Sequence, residues 1–166
     1  MDNKSGKLRN MTALYLRCNG GMVLLYRVGS RVVGNSYTGM AGGHFEQDEL
    51  NDARACVLRE LREETGLTEA DVENLSMRYV TLRLKNGEIR QNYYFFEQLA
   101  PGAALPERCD EGRLEWAPYG ELLEREMPVT AHHVLRHYLE TGRYDDTLYA
   151  GATVPGGMVF TPLTEF

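Results

Sequence analysis

Residues Gly42–Leu67 read GGHFEQDELNDARACVLRELREETGL. The second half carries the local signals of a helix. Ala53, Ala55, Val57, Leu58 and Leu61 lead into Glu63, Glu64 and Thr65, and Gly66 is placed to stop it. Positions i, i+3 and i+4 share a helix face, so Glu60, Glu63 and Glu64 fall within one arc of about 100°. Val57, Leu58, Leu61 and Thr65 cluster on a neighbouring, more apolar face. Carboxylates so crowded repel one another by about 0.2–0.5 kcal/mol per exposed pair. A hard divalent cation removes that conflict, because Mg²⁺ prefers carboxylate oxygens and keeps waters for a phosphate ligand. A solvated Glu/Arg face has the same spacing. Spacing alone leaves both readings open.

The whole string resembles the Nudix box, the signature of the Nudix hydrolase family. Gly43 and Glu49 supply its first part; Arg59, Glu60, Leu61, Glu63, Glu64, Gly66 and Leu67 supply its second. Between Glu49 and Arg59 lie nine residues, Leu50 to Leu58, two more than the family pattern has. The additional pair is expected at the helix entrance, around Leu50 and Asn51. Leu50 would then be a hydrophobic lead-in, and Asn51 or Asp52 the N-cap. If these residues bulge outward, Glu49 stays within reach of Arg59. If the helix starts earlier, Glu49 is displaced and Arg59 turns to Glu63. The bulge is the favoured expectation. Ala41 stands where the family often has a proline, which costs some loop rigidity and no chemistry.

A chain of 166 residues with 43% hydrophobic and 25% charged residues fits one domain with a real core. Its formal net charge of −6 argues against a nucleic-acid polymer or an anionic membrane surface as the main partner. No apolar run approaches the ~18 residues a membrane span needs, and MDNKSGKLRN has no signal-peptide core. Cys18, Cys56 and Cys109 are far apart and lack CxxC spacing, which fits reduced cysteines of a cytoplasmic protein.

Residues 1–10 read as a flexible arm before a single domain over 11–166. Met11–Cys18 and Met22–Val28 read as strands around Asn19-Gly20-Gly21, and 29–41 as a loop entering the box. Leu75–Lys85 and Glu88–Leu99 read as longer strands joined by Asn86-Gly87. A two-residue turn there sets Lys85 against Glu88, Leu84 against Ile89 and Arg83 against Arg90. The last pair is unfavourable unless water or an anion separates the guanidinium groups. Residues 101–113 form a charge-rich connection, and 113–123 a strand carrying Trp116, then a short helix. A second long helix covers 129–141. His133 and His137 share one of its faces but lack a third ligand at metal spacing. In the tail, Pro155-Gly156-Gly157 reads as a turn before an alternating Val159, Thr161, Leu163 set, and Pro162 marks that segment as an edge strand.

The resemblance implies an α/β fold of the Nudix type: an α/β/α sandwich whose mixed sheet has the box helix on one side and the C-terminal helix on the other. It covers 11–141 well and the last 25 residues poorly. It also implies hydrolysis of a nucleoside diphosphate linked to another moiety, with Mg²⁺ or Mn²⁺ as cofactor. On that reading Glu60, Glu63 and Glu64, with the Gly43 or Gly42 carbonyl, form the metal shell. Glu60 is the first choice for the base that activates water, and Arg59 holds Glu49 or Glu63 by a charge-assisted hydrogen bond. Arg27 faces the site from a strand end, Arg83 and Arg90 are candidate substrate contacts, and Glu46 and Glu97 are spare carboxylates for a second metal. The chain lacks an SQPWPFP-like string and has no proline between Leu67 and Pro101. It therefore looks most like the enzymes that cleave nucleoside triphosphates to monophosphate and pyrophosphate, with 8-oxo-dGTP a candidate substrate. An ADP-ribose or nucleotide-sugar pyrophosphatase is the enzymatic alternative, and a non-catalytic nucleotide-binding regulator the other. The partner is a small-molecule nucleotide; a homodimer is left open.

Overall fold

Residues 6–28 and 35–165 are described by a computed structural model, Arg108 by its backbone alone. In chain order the elements are β1 (Leu8–Cys18), β2 (Gly21–Arg27), β3 (Ser36–Gly39), α1 (Ala53–Thr65), β4 (Val72–Lys85), β5 (Glu88–Leu99), β6 (Arg108–Cys109), β7 (Gly112–Pro118), α2 (Val129–Glu140), β8 (Leu148–Val154) and β9 (Gly157–Leu163). The strands form one sheet in the order β6-β7-β2-β1-β5-β4-β8-β9, with β3 beside β2. Pairs β1–β5 and β4–β8 are parallel and the remainder antiparallel, so the sheet is mixed.

Asn-Gly turns set the two hairpins, β1–β2 and β4–β5. Asn19 and Gly20 (φ 48° and 74°) and Asn86 and Gly87 (φ 54° and 72°) take the left-handed conformation that matches the twist of the strands. The second turn gives the register Lys85↔Glu88, Leu84↔Ile89, Arg83↔Arg90.

Alternation along the strands then separates two cores. Leu14, Leu16, Val23 and Phe95 pack with Val57 and Leu61 of α1. Tyr15, Met22, Leu24, Tyr79, Tyr94 and Phe96 pack with Val134, Leu135 and Tyr138 of α2. Each fully enclosed Leu, Val or Phe contributes roughly 1.5–3 kcal/mol. With a helix on each face, the architecture is the expected α/β/α sandwich.

The strand pairing opens the cavity. β1 pairs with β2 only from Leu16 to Cys18. Beyond that β2 diverges, and the loop after β3 takes over the free edge of β1. Met40 N–H donates to Leu14 O (2.7 Å), Leu14 N–H to Ala41 O (2.8 Å) and Thr12 N–H to Gly43 O (2.9 Å). Gly42 has φ 143°, and a Cβ there would lie 2.2 Å from Thr12 O, so only glycine lets the loop come this close.

Several boundaries differ from the sequence reading. β1 begins at Leu8, inside the arm expected over 1–10, because Leu8–Asn10 pair with Ile89–Gln91 of β5; residues 1–5 lie outside the described residues. The loop expected over 29–41 contains β3, while 29–34 lie outside the described residues. β8 was not anticipated; β9, its partner, is the edge strand that Pro162 marks. Arg78 is buried and fastens the segment before β8, donating to the carbonyls of Gly142 and Asp145 (both 2.7 Å) and Thr147 (3.1 Å).

Candidate active site

The entrance to α1 absorbs the two additional residues as a turn. Gln47–Glu49 make a single 3-10 turn, Leu50 and Asn51 follow, and Asp52 caps α1 by accepting from Ala55 N–H at 2.9 Å. Leu50, expected to pack as a lead-in, stays 54% exposed, since the turn points it outward. Glu49 therefore stays buried beside Arg59, which grips it with both arms of the guanidinium: Nε to Oε1 at 2.6 Å and Nη2 to Oε2 at 3.0 Å. That grip holds the Glu49 carboxyl down at about 2. Arg59 also donates to Glu60 (2.9 Å), Glu63 (3.0 Å) and the His44 carbonyl (3.0 Å). The two alternatives for Arg59, Glu49 and Glu63, are thus met together.

A cavity of about 810 Å³ lies on the α2 side of the sheet, walled by β1, β4, β5, the Gly42–Glu46 loop, α1 and the start of α2. Of the three helical glutamates, Glu60 and Glu64 line it. Glu63 does not: its side chain is 53% exposed, on the outer side of Arg59. The Gly-Gly pair makes room for both. Gly42 N–H donates to Glu64 Oε2 at 3.0 Å, and a Cβ on Gly43 would come within 2.3 Å of Glu60 Oε1. The Gly43 carbonyl is bonded to Thr12 N–H.

A residue that the sequence reading passed over joins them. Glu111, in the turn between β6 and β7, lines the same cavity and pairs with Arg27. Arg27 also reaches Glu64 at 3.3 Å, so this arginine sits between two carboxylates. Burial, and then the charge of Glu111, push Glu64 up to about 8. Burial raises Glu60 too, against the pull of Arg59. The available signal was the acidic pair Asp110-Glu111 before Gly112, a glycine whose Cβ would lie 2.0 Å from Tyr26 O.

Among the described residues, no three His, Cys, Asp or Glu side chains already converge at metal-binding spacing. The donor set nevertheless fits a hard divalent cation. It offers only carboxylate oxygens; burial disfavours ionisation of Glu60 and Glu64, and the charge of Glu111 adds to this at both, a conflict such a cation relieves.

Arg83 and Arg90 line the far end of the cavity, and Glu46 lines its mouth. Glu97 is fully enclosed away from the cavity, and neither of its oxygens has a partner among the described residues. It cannot serve a second metal, because alternation on β5 turns it from the cavity face. His137 packs in an aromatic cluster, its Nδ1 2.8 Å from Tyr79 OH and its ring 4.5 Å from Phe160. Trp116 Nε1–H bonds the Cys18 carbonyl at 2.8 Å.

A mixed sheet between two helices, with an arginine-laced glutamate cluster on one of them, defines a hydrolase of the Nudix type. The NUDIX domain model matches residues 7–138, and the chain belongs to that family. Among solved structures, the chain is similar to the mutator MutT protein of Bacillus halodurans, with 22% identity, TM-score 0.63, and coverage of 93% of this chain and 97% of that one. It is likewise similar to a NUDIX hydrolase from Nitrosomonas europaea (14% identity, TM-score 0.69, 89% and 79% covered) and to an Ap4A hydrolase of C. elegans (13%, 0.61, 84% and 99%). No curated protein matches the chain. Nudix hydrolases generally use divalent metal ions and act on small-molecule nucleotides. Among the described residues no helix is long and apolar enough to cross a membrane.

Proposed function

We propose that the chain cleaves the diphosphate linkage of a nucleoside triphosphate, giving monophosphate and pyrophosphate, with Mg²⁺ or Mn²⁺ as cofactor. The observation that carries this is the meeting of Glu60, Glu64 and Glu111 in one cavity, where burial and the charge of Glu111 disfavour ionisation of both Glu60 and Glu64. Glu60, Glu64 and Glu111 would hold the cation, with Glu63 at the rim. A cation held by them would supply Lewis-acid stabilisation of the negative charge that develops as the linkage breaks. The chain's own residues do the remainder. Arg59 fixes Glu60 and Glu49 at the mouth of α1, and Glu60 accepts the proton of the attacking water. Arg27 keeps Glu64 and Glu111 apart, while Arg83 and Arg90 contact the substrate from the far end. The three free cysteines fit a cytoplasmic enzyme.

The test is a phosphate-release screen across nucleotides, 8-oxo-dGTP and ADP-ribose included, with Mg²⁺, Mn²⁺, Zn²⁺ or a chelator. Turnover of a triphosphate to monophosphate and pyrophosphate with Mg²⁺ or Mn²⁺ is expected, with poor support by Zn²⁺. Preference for ADP-ribose moves the assignment to the nucleotide-sugar class. Tight nucleotide binding with no turnover under any metal leaves a regulator.

A further inference from the structure

The strand ends at the far end of the cavity carry an excess of positive charge. Arg9 of β1 pairs in register with Arg90 of β5, and Arg90 with Arg83 of β4. Directly paired residues point to the same face, so three guanidinium groups stand abreast on strands about 4.8 Å apart. Lys85, two residues on along β4, lines the same cavity. Glu88 answers Arg9 at 3.4 Å and Arg90 at 3.2 Å. Among the described residues no carboxylate lies within salt-bridge reach of Arg83 or Lys85. The cations thus outnumber their counter-ions in a chain whose net charge is −6.

A solvated arginine face does not account for this row. In that case the leucines of these strands would be inside and the arginines outside. Here Leu8 and Leu84, on the opposite face, are 59% and 50% exposed, whereas Arg9 and Arg90 are only 31% and 27% exposed within the cavity. Like charges directly opposite one another on a sheet repel. An anion between them reverses the sign and gains charge-assisted hydrogen bonds, and the guanidinium fork matches two oxygens of a phosphoryl group.

Position separates this row from the linkage that is cut. The carboxylate end is marked on β1 by the Thr12–Gly43 bond. Arg9 lies three residues further along β1, roughly 10 Å at ~3.4 Å per residue. Asn92 and Tyr94 continue the cavity face of β5 from the arginines toward the carboxylates.

We infer that Arg9, Arg83 and Arg90, with Lys85, form a second anion subsite that takes a phosphoryl group of the substrate outside the scissile linkage. The inference rests on the carboxylate end being the hydrolytic site, and it narrows the substrate to nucleotides with a further phosphoryl group. That group comes either from the sugar, as a phosphomonoester, or from the terminal end of a phosphate chain.

Equilibrium binding in EDTA tests the subsite without turnover. The probes are a nucleoside 5′-monophosphate, the 3′,5′-bisphosphate of the same nucleoside, and its 5′-triphosphate. At least tenfold tighter binding of the bisphosphate or the triphosphate than of the monophosphate is expected, and whichever gains identifies the source. The advantage should fall below threefold in Arg83→Gln/Arg90→Gln and persist in Arg83→Lys/Arg90→Lys, a pair that keeps the charge should the first variant not fold. Equal binding of all three probes overturns the subsite, as does a preference that survives the glutamine pair. Turnover with Mg²⁺ is read separately on the same ligands. Turnover without any preference removes the subsite and leaves the hydrolase standing; preference without turnover does the reverse.

Discussion

At the α1 end of the cavity, arginines and carboxylates alternate in space. Arg59 touches Glu49, Glu60 and Glu63, and Arg27 touches Glu64 and Glu111. At the β4–β5 hairpin end, Arg9, Arg90 and Arg83 stand side by side with Glu88 as counter-ion to two of them. In the first arrangement two arginines tie five carboxylates together and so hold its geometry, and the negative excess is left for a cation. The second is completed only from outside. A framework that must hold its shape is built from opposite charges, and a surface that must receive an anion carries an excess of one sign.

The largest effect should come from the carboxylate end. Glu64→Gln and Glu60→Gln each keep side-chain volume and remove a charge from the proposed cation ligands. Each should lower kcat at least about 100-fold, in line with the ~3–4 kcal/mol that losing one such stabiliser costs. Far-UV circular dichroism should stay native. Full activity in either variant would place the metal elsewhere.

Glu97 supplies a control for both ends, being a buried carboxyl with no arginine. Burial alone raises it to about 8, against an unfolded value near ~4.3. Between those values the folded state holds a proton that the unfolded chain has lost. The stability tied to Glu97 is therefore full below about pH 4 and falls as pH rises through 8, on the order of a few kcal/mol in all. Urea unfolding from pH 5 to 8.5 should show this slope in the native chain and lose it in Glu97→Gln. An identical slope in both would mean that a counter-charge reaches Glu97 after all.

Glu49 is the opposite case, a buried carboxyl outside the cavity lining that sets the position of Arg59. Glu49→Gln should lower kcat/KM about tenfold, the scale of losing a supporting contact behind a metal ligand. Arg59→Lys, which cannot reproduce the two-armed grip, should do at least as much. If Glu49→Gln is unaffected, the Arg59–Glu60 contact positions the site without it.

How far all this was legible in the sequence follows from the range of each interaction. The helix and its stop, the Asn86-Gly87 register and the edge strand depend on neighbours in the chain, and the 53–66 stretch, the Asn-Gly pair and Pro162 state them directly. Asp52 as cap and the outward turn at Leu50 were readable as alternatives, because capping is local too. Glu111 was not readable. It reaches Glu64 only because β7 pairs with β2 and brings the β6–β7 turn beside Arg27. Nor could pattern alone tell Glu97 from Glu46, since enclosure of one and exposure of the other depend on which face of the sheet α1 covers. The Arg83↔Arg90 pair was visible, but its extension to Arg9 needed the parallel β1–β5 pairing, whose register no local signal sets.

The smallest effect should come from the hairpin end, and its sign is what matters. Arg83→Gln removes one of three like charges abreast. It should stabilise the ligand-free fold by about 0.2–1 kcal/mol, the range for cross-strand pairs. In a chain of this size that is a rise of roughly 1–3 °C in Tm at low salt. Sodium chloride should shrink the difference, because exposed charge repulsion is screened within about 10 Å at ~0.1 M salt. Phosphate at matched ionic strength should do more than screen: it should raise the Tm of the native chain above that in chloride and leave Arg83→Gln nearly unmoved, since a bound anion stabilises only the form that binds it. A variant less stable than the native chain in every buffer would mean that Arg83 holds the sheet by packing its stem. The hairpin end would then be a framework that needs no ligand to complete it.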